Sequence, residues 1–275
     1  MPYTMVLRLG AGLGFLHGVC GRSQKRRALK QLQERLGVDA GQASAIAGRM
    51  FKNIGRTLLE ILYIPALTPA KLERWVSIEN LHYLTEAVNA GKGTVLLTAH
   101  FGNWEWMAAR LVAAGFPLAA VAETQPGQGL DRLLNEYREQ VGLKPYARNN
   151  TLISAMKALK NGYILGFVAD QDAKGSGVFV DFFGRPASTP QGPAFFAQRC
   201  GAPVVPAFIV RQPRNKGHRI ILSPPIFASD SHDMEQQIQE LTARMTEVME
   251  NRIRRYPDHW WWFQRRWITN PKTGD

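Results

Sequence analysis

The stretch Thr94-Val-Leu-Leu-Thr-Ala99 constrains the fold more than any other part of this chain. Its residues do not alternate between apolar and polar, so a strand built from it must be covered on both faces. Such strands sit in sheets with helices on either side, and the flanking sequence supplies the helices. Asn80 to Asn89 reads as one, stopped by Gly91 and Gly93, and Asn103 to Ala114 as the next. The alternation then continues. Strands are expected at Pro117–Ala122, Tyr163–Ala169, Val178–Phe182, Val204–Val210 and His218–Leu222, and helices at Leu130–Val141, Thr151–Lys160, Gln191–Arg199 and Asp233–Arg255. The N-terminal part differs. Lys25–Leu36 and Ala40–Ile64 read as helices, the second ended by Pro65, and Thr68-Pro69 pairs an N-cap with proline at the first helical position. The expected fold class is α/β: a single domain with a central, mostly parallel sheet flanked by helices, preceded by an N-terminal helical segment. No linker rich in Pro, Gly or Ser divides the chain. The expected organisation is a segment over residues 1–21 and one domain over 22–275.

Composition removes several classes. Hydrophobic residues make up 45% of the 275 positions, which is incompatible with a disordered chain. There is no internal repeat. Cys20 and Cys200 form neither a disulfide framework nor a metal-binding spacing, and read as reduced thiols. The 34 basic against 22 acidic residues give a formal charge of +12, which calls for an anionic partner: nucleic acid, an anionic membrane surface, or an acidic carrier or phosphorylated substrate. The segment Met5–Cys20 is largely apolar but too short to span a bilayer, and it contains Arg8 and His17. A basic cluster, Lys25-Arg26-Arg27, follows it. Two readings stand for this segment: a helix lying in a membrane interface, or an N-terminal helix buried against the core.

The chemistry concentrates in Thr98-Ala-His100-Phe-Gly102-Asn103-Trp-Glu105. His100 ends a buried strand, and ligands of open α/β sheets bind at the carboxyl ends of strands. Gly102 permits a tight turn, Asn103 is a good N-cap, and Glu105 falls in the first helical turn. A carboxylate there is placed to fix the imidazole tautomer, leaving the other ring nitrogen to take a proton from a hydroxyl. The bare His-x4-acid spacing is weak, since this composition gives about half an occurrence by chance. The strand, glycine and N-cap around it make it stronger. Asp170 ends the other long buried strand, in the same kind of position as His100. There is no G-x-S-x-G elbow, Walker A loop or G-x-G-x-x-G fingerprint, and neither cysteine has a histidine in a recognisable motif, so nucleophilic catalysis through a covalent intermediate is not expected.

His100-Phe-Gly-Asn-Trp-Glu105 resembles the HX4D/E motif of the glycerolipid acyltransferases, and more closely the late acyltransferases of lipid A biosynthesis, the lauroyl and myristoyl branch, in which Glu replaces the commoner Asp. The resemblance runs through most of the chain. Asn53–Glu60, Ala169–Asp172 with Gly177–Gly184, Cys200–Pro206 and His259–Trp267 each match a block of that family. It implies a glycerol-3-phosphate acyltransferase-like fold. It also implies transfer of a fatty acyl chain from acyl carrier protein, or a coenzyme A thioester, to a hydroxyl of an anionic lipid A-type glycolipid. His100, Glu105, Arg138 and Asp170 are then the catalytic candidates, with Arg138 in Asn135–Gly142 matching an arginine such enzymes need. The alternative acceptor is another glycolipid, an aminolipid or a lysophospholipid. No cofactor and no metal are expected, because Asp170 and Asp172 lack further ligands at a known spacing. The enzyme is expected on the cytoplasmic face of the inner membrane, peripheral or monotopic.

The C-terminal run His259-Trp-Trp-Trp-Phe-Gln-Arg-Arg-Trp267 is dense in aromatics. Some of these rings are expected in the core. Arg265 and Arg266 among them suit an anionic headgroup, and together with Asn103 they are the substrate-binding candidates. Arg211, Arg214, Lys216 and Arg219 cluster near a hairpin and suit lipid headgroups, an acidic carrier, or plain solvent. The aromatics gather at the C-terminus while the strands are aliphatic, so a nucleic-acid partner is not expected.

Overall fold

The computed structural model describes residues 1–122, 128–147, 152–213, 216–229 and 233–271. Three helices lead: α1 (Tyr3–Cys20), α2 (Arg22–Leu36) and α3 (Ala40–Leu62). Asp39 starts α3 with a capping box: its side chain accepts from the Gln42 amide while the Gln42 side chain accepts from the Asp39 amide. After a 3₁₀ turn come α4 (Pro69–Trp75), β1 (Val76–Glu79), α5 (His82–Asn89), β2 (Thr94–Thr98), α6 (Trp104–Ala113), β3 (Leu118–Ala122), α7 (Gln128–Gln140), β4 (Lys144–Ala147), α8 (Leu152–Lys160) and β5 (Ile164–Val168). A hairpin of β6 (Val178–Asp181) and β7 (Pro186–Thr189) precedes α9 (Gly192–Cys200), β8 (Val204–Arg211), β9 (His218–Leu222) and α10 (Met234–Arg255). Thr151, the expected start of α8, and Arg214 of the hairpin lie outside the described residues.

Seven strands form one sheet in the order β1-β9-β8-β2-β5-β3-β4. The pairs from β8 through β2, β5 and β3 to β4 are parallel, while β9 runs against β8 and β1 follows β9. This is the helix-flanked, mostly parallel sheet expected from the unbroken apolar strands. Every residue of β2 is buried, and its side chains divide between two cores: Val95 and Leu97 join the rings of the C-terminal segment, α3 and α10 on one face, and Leu96 joins Trp106, Leu111 and Val205 on the other.

The N-terminal helix is packed on one face and open on the other. Its glycine stripe seats on α3 at backbone distance. A Cβ at Gly14 would lie 2.1 Å from the Phe51 carbonyl oxygen, and one at Gly55 would lie 2.1 Å from that of Gly10, so neither position admits a larger residue. Val6 and Leu7 are buried beside this contact. On the outer side Met5, Leu9, Leu13, Leu16 and Val19 are about half exposed, and α3 adds exposed Leu58 and Leu62. At residue 21 the chain bends by 89° between α1 and α2. Among the described residues no single helix is long and apolar enough to cross a membrane.

Candidate active site

The sheet order brings His100 and Asp170 together. The ladder between β2 and β5 pairs Thr94 with Ile164 and runs in register to Thr98 with Val168, so the residues two beyond each strand end meet. Both the backbone N–H of His100 and its Nδ1 lie on Asp170 Oδ1, at 3.0 and 2.8 Å. Asp170 is fully buried, and its Oδ2 accepts from Trp260 Nε1 at 2.7 Å and Gln264 Nε2 at 2.9 Å. Burial alone would raise its pKa. The His100 imidazole, together with the Gln264 and Trp260 donors, outweighs burial and holds the carboxyl below the usual range, ionised at neutral pH. An ionised Asp170 accepts Nδ1–H and leaves Nε2 as the basic nitrogen. Nε2 has no hydrogen-bond partner among the described residues, and the ring is partly open to solvent between Trp104, edge-on at 5.0 Å, and Trp261 at 5.4 Å.

Glu105 has a different partner from the one its spacing suggests. Its carboxylate is forked onto Arg138, with Oε1 2.5 Å from Nη2 and Oε2 3.1 Å from Nε, and it also accepts from Trp104 Nε1 at 3.2 Å. The imidazole takes its carboxylate from the neighbouring strand, because Asp170 stands level with it across the ladder while the first turn of α6 carries Glu105 toward α7. Glu105 and Arg138 therefore form a largely buried pair joined through Trp104 to the wall beside His100, and Arg138 Nη1 also donates to Asn135.

The segment between His100 and Glu105 is clamped from behind. Gly102 has φ of +61°, and a Cβ there would lie 2.0 Å from the Ile209 carbonyl oxygen, so this turn requires glycine. Its N–H donates to the His259 carbonyl at 2.9 Å, and its carbonyl accepts from Thr57. Asn103 caps α6 by accepting from the Trp106 amide at 3.0 Å. Its amide group donates to Glu60 Oε2 at 3.0 Å. Glu60 is completely buried and also accepts from Tyr3 Oη at 2.6 Å, from both terminal nitrogens of Arg211 at 2.7 and 2.8 Å, and from His218 Nε2 at 3.1 Å. Burial would raise the Glu60 pKa, but His218 and Arg211 hold it well below the usual carboxylate range. Burial in turn lowers that of His218, keeping its ring neutral. This hub joins α1, α3, α6, β8 and β9. The resemblance included Glu60 only as the end of a helical block. A lone acid within Leu58-Leu-Glu60-Ile-Leu62 was the signal for a buried, paired carboxylate.

Other expected contacts fall elsewhere. Asn103 is buried with its amide committed to Glu60 and the helix cap, so it does not face a substrate. Arg266 is buried as well, bonded to the Ser188 carbonyl and Thr189 hydroxyl and lying over the Phe182 ring, which removes it from any headgroup. Arg265 is exposed. Arg211 belongs to the Glu60 hub rather than to a solvated hairpin. Asp172 accepts from Thr269 and the Lys174 amide, away from Asp170. Of the C-terminal rings Trp260 and Trp262 are fully buried, while Trp261 lines the site.

The family model for bacterial lipid A biosynthesis acyltransferases matches residues 1–269. The chain belongs to this family. It is an acyltransferase, as the resemblance of its motifs implies. A phosphatidylinositol mannoside acyltransferase of Mycolicibacterium smegmatis is 29% identical, the alignment covering 98% of this chain and 88% of that one. A lipid A biosynthesis lauroyltransferase of Escherichia coli is 28% identical over 99% and 88% respectively. The solved 1-acyl-sn-glycerophosphate (LPA) acyltransferase PlsC of Thermotoga maritima shares 14% identity at a TM-score of 0.36, covering 90% of this acyltransferase and 98% of that chain.

Proposed function

We propose that this acyltransferase moves a fatty acyl chain from acyl carrier protein, or from coenzyme A, to a hydroxyl of a lipid A-type glycolipid. The carrying observation is the His100 imidazole, held through Nδ1 by a buried, ionised Asp170 while Nε2 faces the opening. The acceptor hydroxyl gives its proton to Nε2 as its oxygen attacks the thioester carbonyl. Asp170 stabilises the imidazolium. The tetrahedral intermediate then collapses, the carbon–sulfur bond breaks, and the imidazolium returns the proton to the leaving thiolate. Arg138, oriented by Glu105, supplies positive charge beside the site for a phosphate or for the donor's carbonyl oxygen. Asp170 takes the orienting role that the motif spacing suggests for Glu105.

The relatives act on two kinds of glycolipid, so the acceptor headgroup is decided by assay. Purified enzyme is offered acyl carrier protein and coenzyme A thioesters against a lipid A precursor, a phosphatidylinositol mannoside and a lysophospholipid. The expected result is transfer to a glycolipid, abolished in His100→Ala with the fold retained by circular dichroism. Preference for the lysophospholipid would overturn the acceptor class, and a His100→Ala enzyme with more than a small fraction of the wild-type rate would overturn the base.

The outer face of α1 supports a place at the cytoplasmic surface of the inner membrane. Apolar side chains there are exposed on a helix whose other face is packed, and Lys25 and Arg26 lie exposed just beyond it.

A further inference from the structure

The β9–β1 edge of the sheet, two strands across from His100, carries a second cluster of charge. Leu97 of β2 pairs with Pro206 of β8, Ala207 pairs with Leu222 of β9, and Ile221 pairs with Glu79 of β1, so the carboxyl ends of β9 and β1 stand level with that of β2, displaced sideways across the sheet. A cleft of about 250 Å³ opens there, and its walls include Arg219, Arg252 and Arg255, a single carboxylate from Glu79, and the hydroxyls of Ser223 and Tyr256. Glu79 is taken by Arg219, 3.0 Å away, and Arg219 also donates to Tyr256 Oη at 3.2 Å. The buried Nε of Arg219 has no partner among the described residues. Arg252 is half-buried, stands over the Phe208 ring and donates once, to Ser223 Oγ at 3.3 Å. Arg255 lies over the Tyr256 ring. Among the described residues neither Arg252 nor Arg255 has a carboxylate partner, so three guanidinium groups share one negative charge.

Half-buried cations are ordinarily paired, because desolvation penalises a charge that nothing compensates. Burial lowers the Arg252 pKa; Tyr256 and Glu79 oppose this, while Arg255 and Arg219 add to it. An anion in the cleft relieves this crowding. Guanidinium forks match the oxygens of phosphate two at a time, and the net excess of two positive charges matches a phosphate dianion. The cleft is smaller than the ~300–1,000 Å³ usual for drug-sized ligands, and the groups around it are largely polar, so it suits a headgroup-sized ligand and not an acyl chain.

We propose that this cleft, on the β9–β1 edge of the sheet, binds a phosphate monoester group through Arg219, Arg252 and Arg255. The phosphate comes either from a soluble phosphorylated molecule or from a lipid headgroup. The lining of the cleft includes none of His100, Glu105, Arg138 and Asp170.

The test uses the full chain at constant ionic strength with chloride as the control anion. Titration with inorganic phosphate, followed by thermal unfolding and by calorimetry, is expected to give a saturable rise in Tm. Arg255→Gln, an exposed position, should weaken the apparent Kd about tenfold, and Arg252→Gln/Arg255→Gln should remove binding. Arg252→Lys keeps the charge but loses the fork, and should fall between wild type and Arg252→Gln. Acyl transfer should persist in all of these variants. Two further arms identify the source, using glycerol 3-phosphate in solution and sedimentation with phosphatidic acid vesicles against phosphatidylcholine vesicles. Loss of vesicle binding in the variants assigns a lipid headgroup, and loss of glycerol 3-phosphate binding alone assigns a soluble ligand. A phosphate effect that does not saturate, or one equal in wild type and in Arg255→Gln, would overturn the site.

Discussion

At the scale of single residues, the imidazole's partner is the decisive assignment. Asp170→Asn keeps the shape but removes the charge that fixes the tautomer and stabilises the imidazolium, and is expected to lower kcat by about 10²–10⁴-fold. Glu105→Gln should instead loosen Arg138 and act mainly on KM for the phosphate-bearing or thioester substrate. Steady-state kinetics on both variants decide it: a mild Asp170→Asn beside a Glu105→Gln that loses most of its kcat would return the orienting role to Glu105. The Glu60 hub gives a second prediction. Glu60→Gln leaves Arg211 buried and uncompensated, which is expected to destabilise the fold by about 3–5 kcal/mol in chemical denaturation. His218 adds a pH dependence. Its folded pKa lies below its unfolded value, so the unfolded chain binds the proton first, and stability falls as the pH drops below about 6.5, by at most about 1.4 kcal/mol per unit. A denaturation series from pH 8 to 5 on wild type and His218→Leu should show this slope shrink in the variant.

At the scale of elements, the long apolar strands and the helices were legible because their periods and stop signals are local. β1, β4 and β7, each of four residues, were not. Val76-Ser-Ile-Glu79 is too short to display a period, and Pro186 opening β7 speaks against a strand. The site divides the same way. His100 and Asp170 were legible as strand ends, but their pairing was not, because β5 lies beside β2 only after the chain has built β3 and β4 further out. Spacing along a helix made Glu105 look like the partner, whereas register across a ladder made it Asp170. The docking of α1 was hidden for a related reason: the glycines at 10, 14 and 18 reveal a close helix contact only once α3 is set opposite them. Gly14→Leu forces a side chain into the Phe51 carbonyl and is expected to lower stability by about 1–3 kcal/mol. Thermal unfolding and trypsin cleavage at Arg8 measure it. Unchanged Tm and protection would mean that α1 does not depend on this contact.

At the scale of the whole molecule, the proposed membrane attachment divides into two separable parts, one apolar and one electrostatic. Removing residues 1–21 would confound them with folding, because Tyr3 bonds Glu60 and Val6 and Leu7 are buried. Substitutions on the outer face avoid this. Leu9, Leu13 and Leu16 are each about half exposed, so each has about half of its ~1.5–3 kcal/mol burial energy left to gain from a bilayer. Leu9→Asp/Leu13→Asp should therefore shift the protein strongly to the soluble fraction without lowering Tm. The electrostatic part is smaller than three clustered basic residues suggest. Arg27 is spent inside the protein, donating to the Phe263 carbonyl at 2.9 Å, which leaves Lys25 and Arg26 exposed at about 1 kcal/mol each near an anionic surface. Lys25→Glu/Arg26→Glu should weaken binding to anionic vesicles by more than tenfold and leave neutral vesicles unaffected. High salt should reproduce that loss in wild type and add little in the variant. Co-sedimentation with neutral and anionic vesicles at two salt concentrations tests both parts at once. If Leu9→Asp/Leu13→Asp bound as wild type does, α1 would not be the attachment face. If binding to both vesicle types were equal and indifferent to salt, Lys25 and Arg26 would play no part in it.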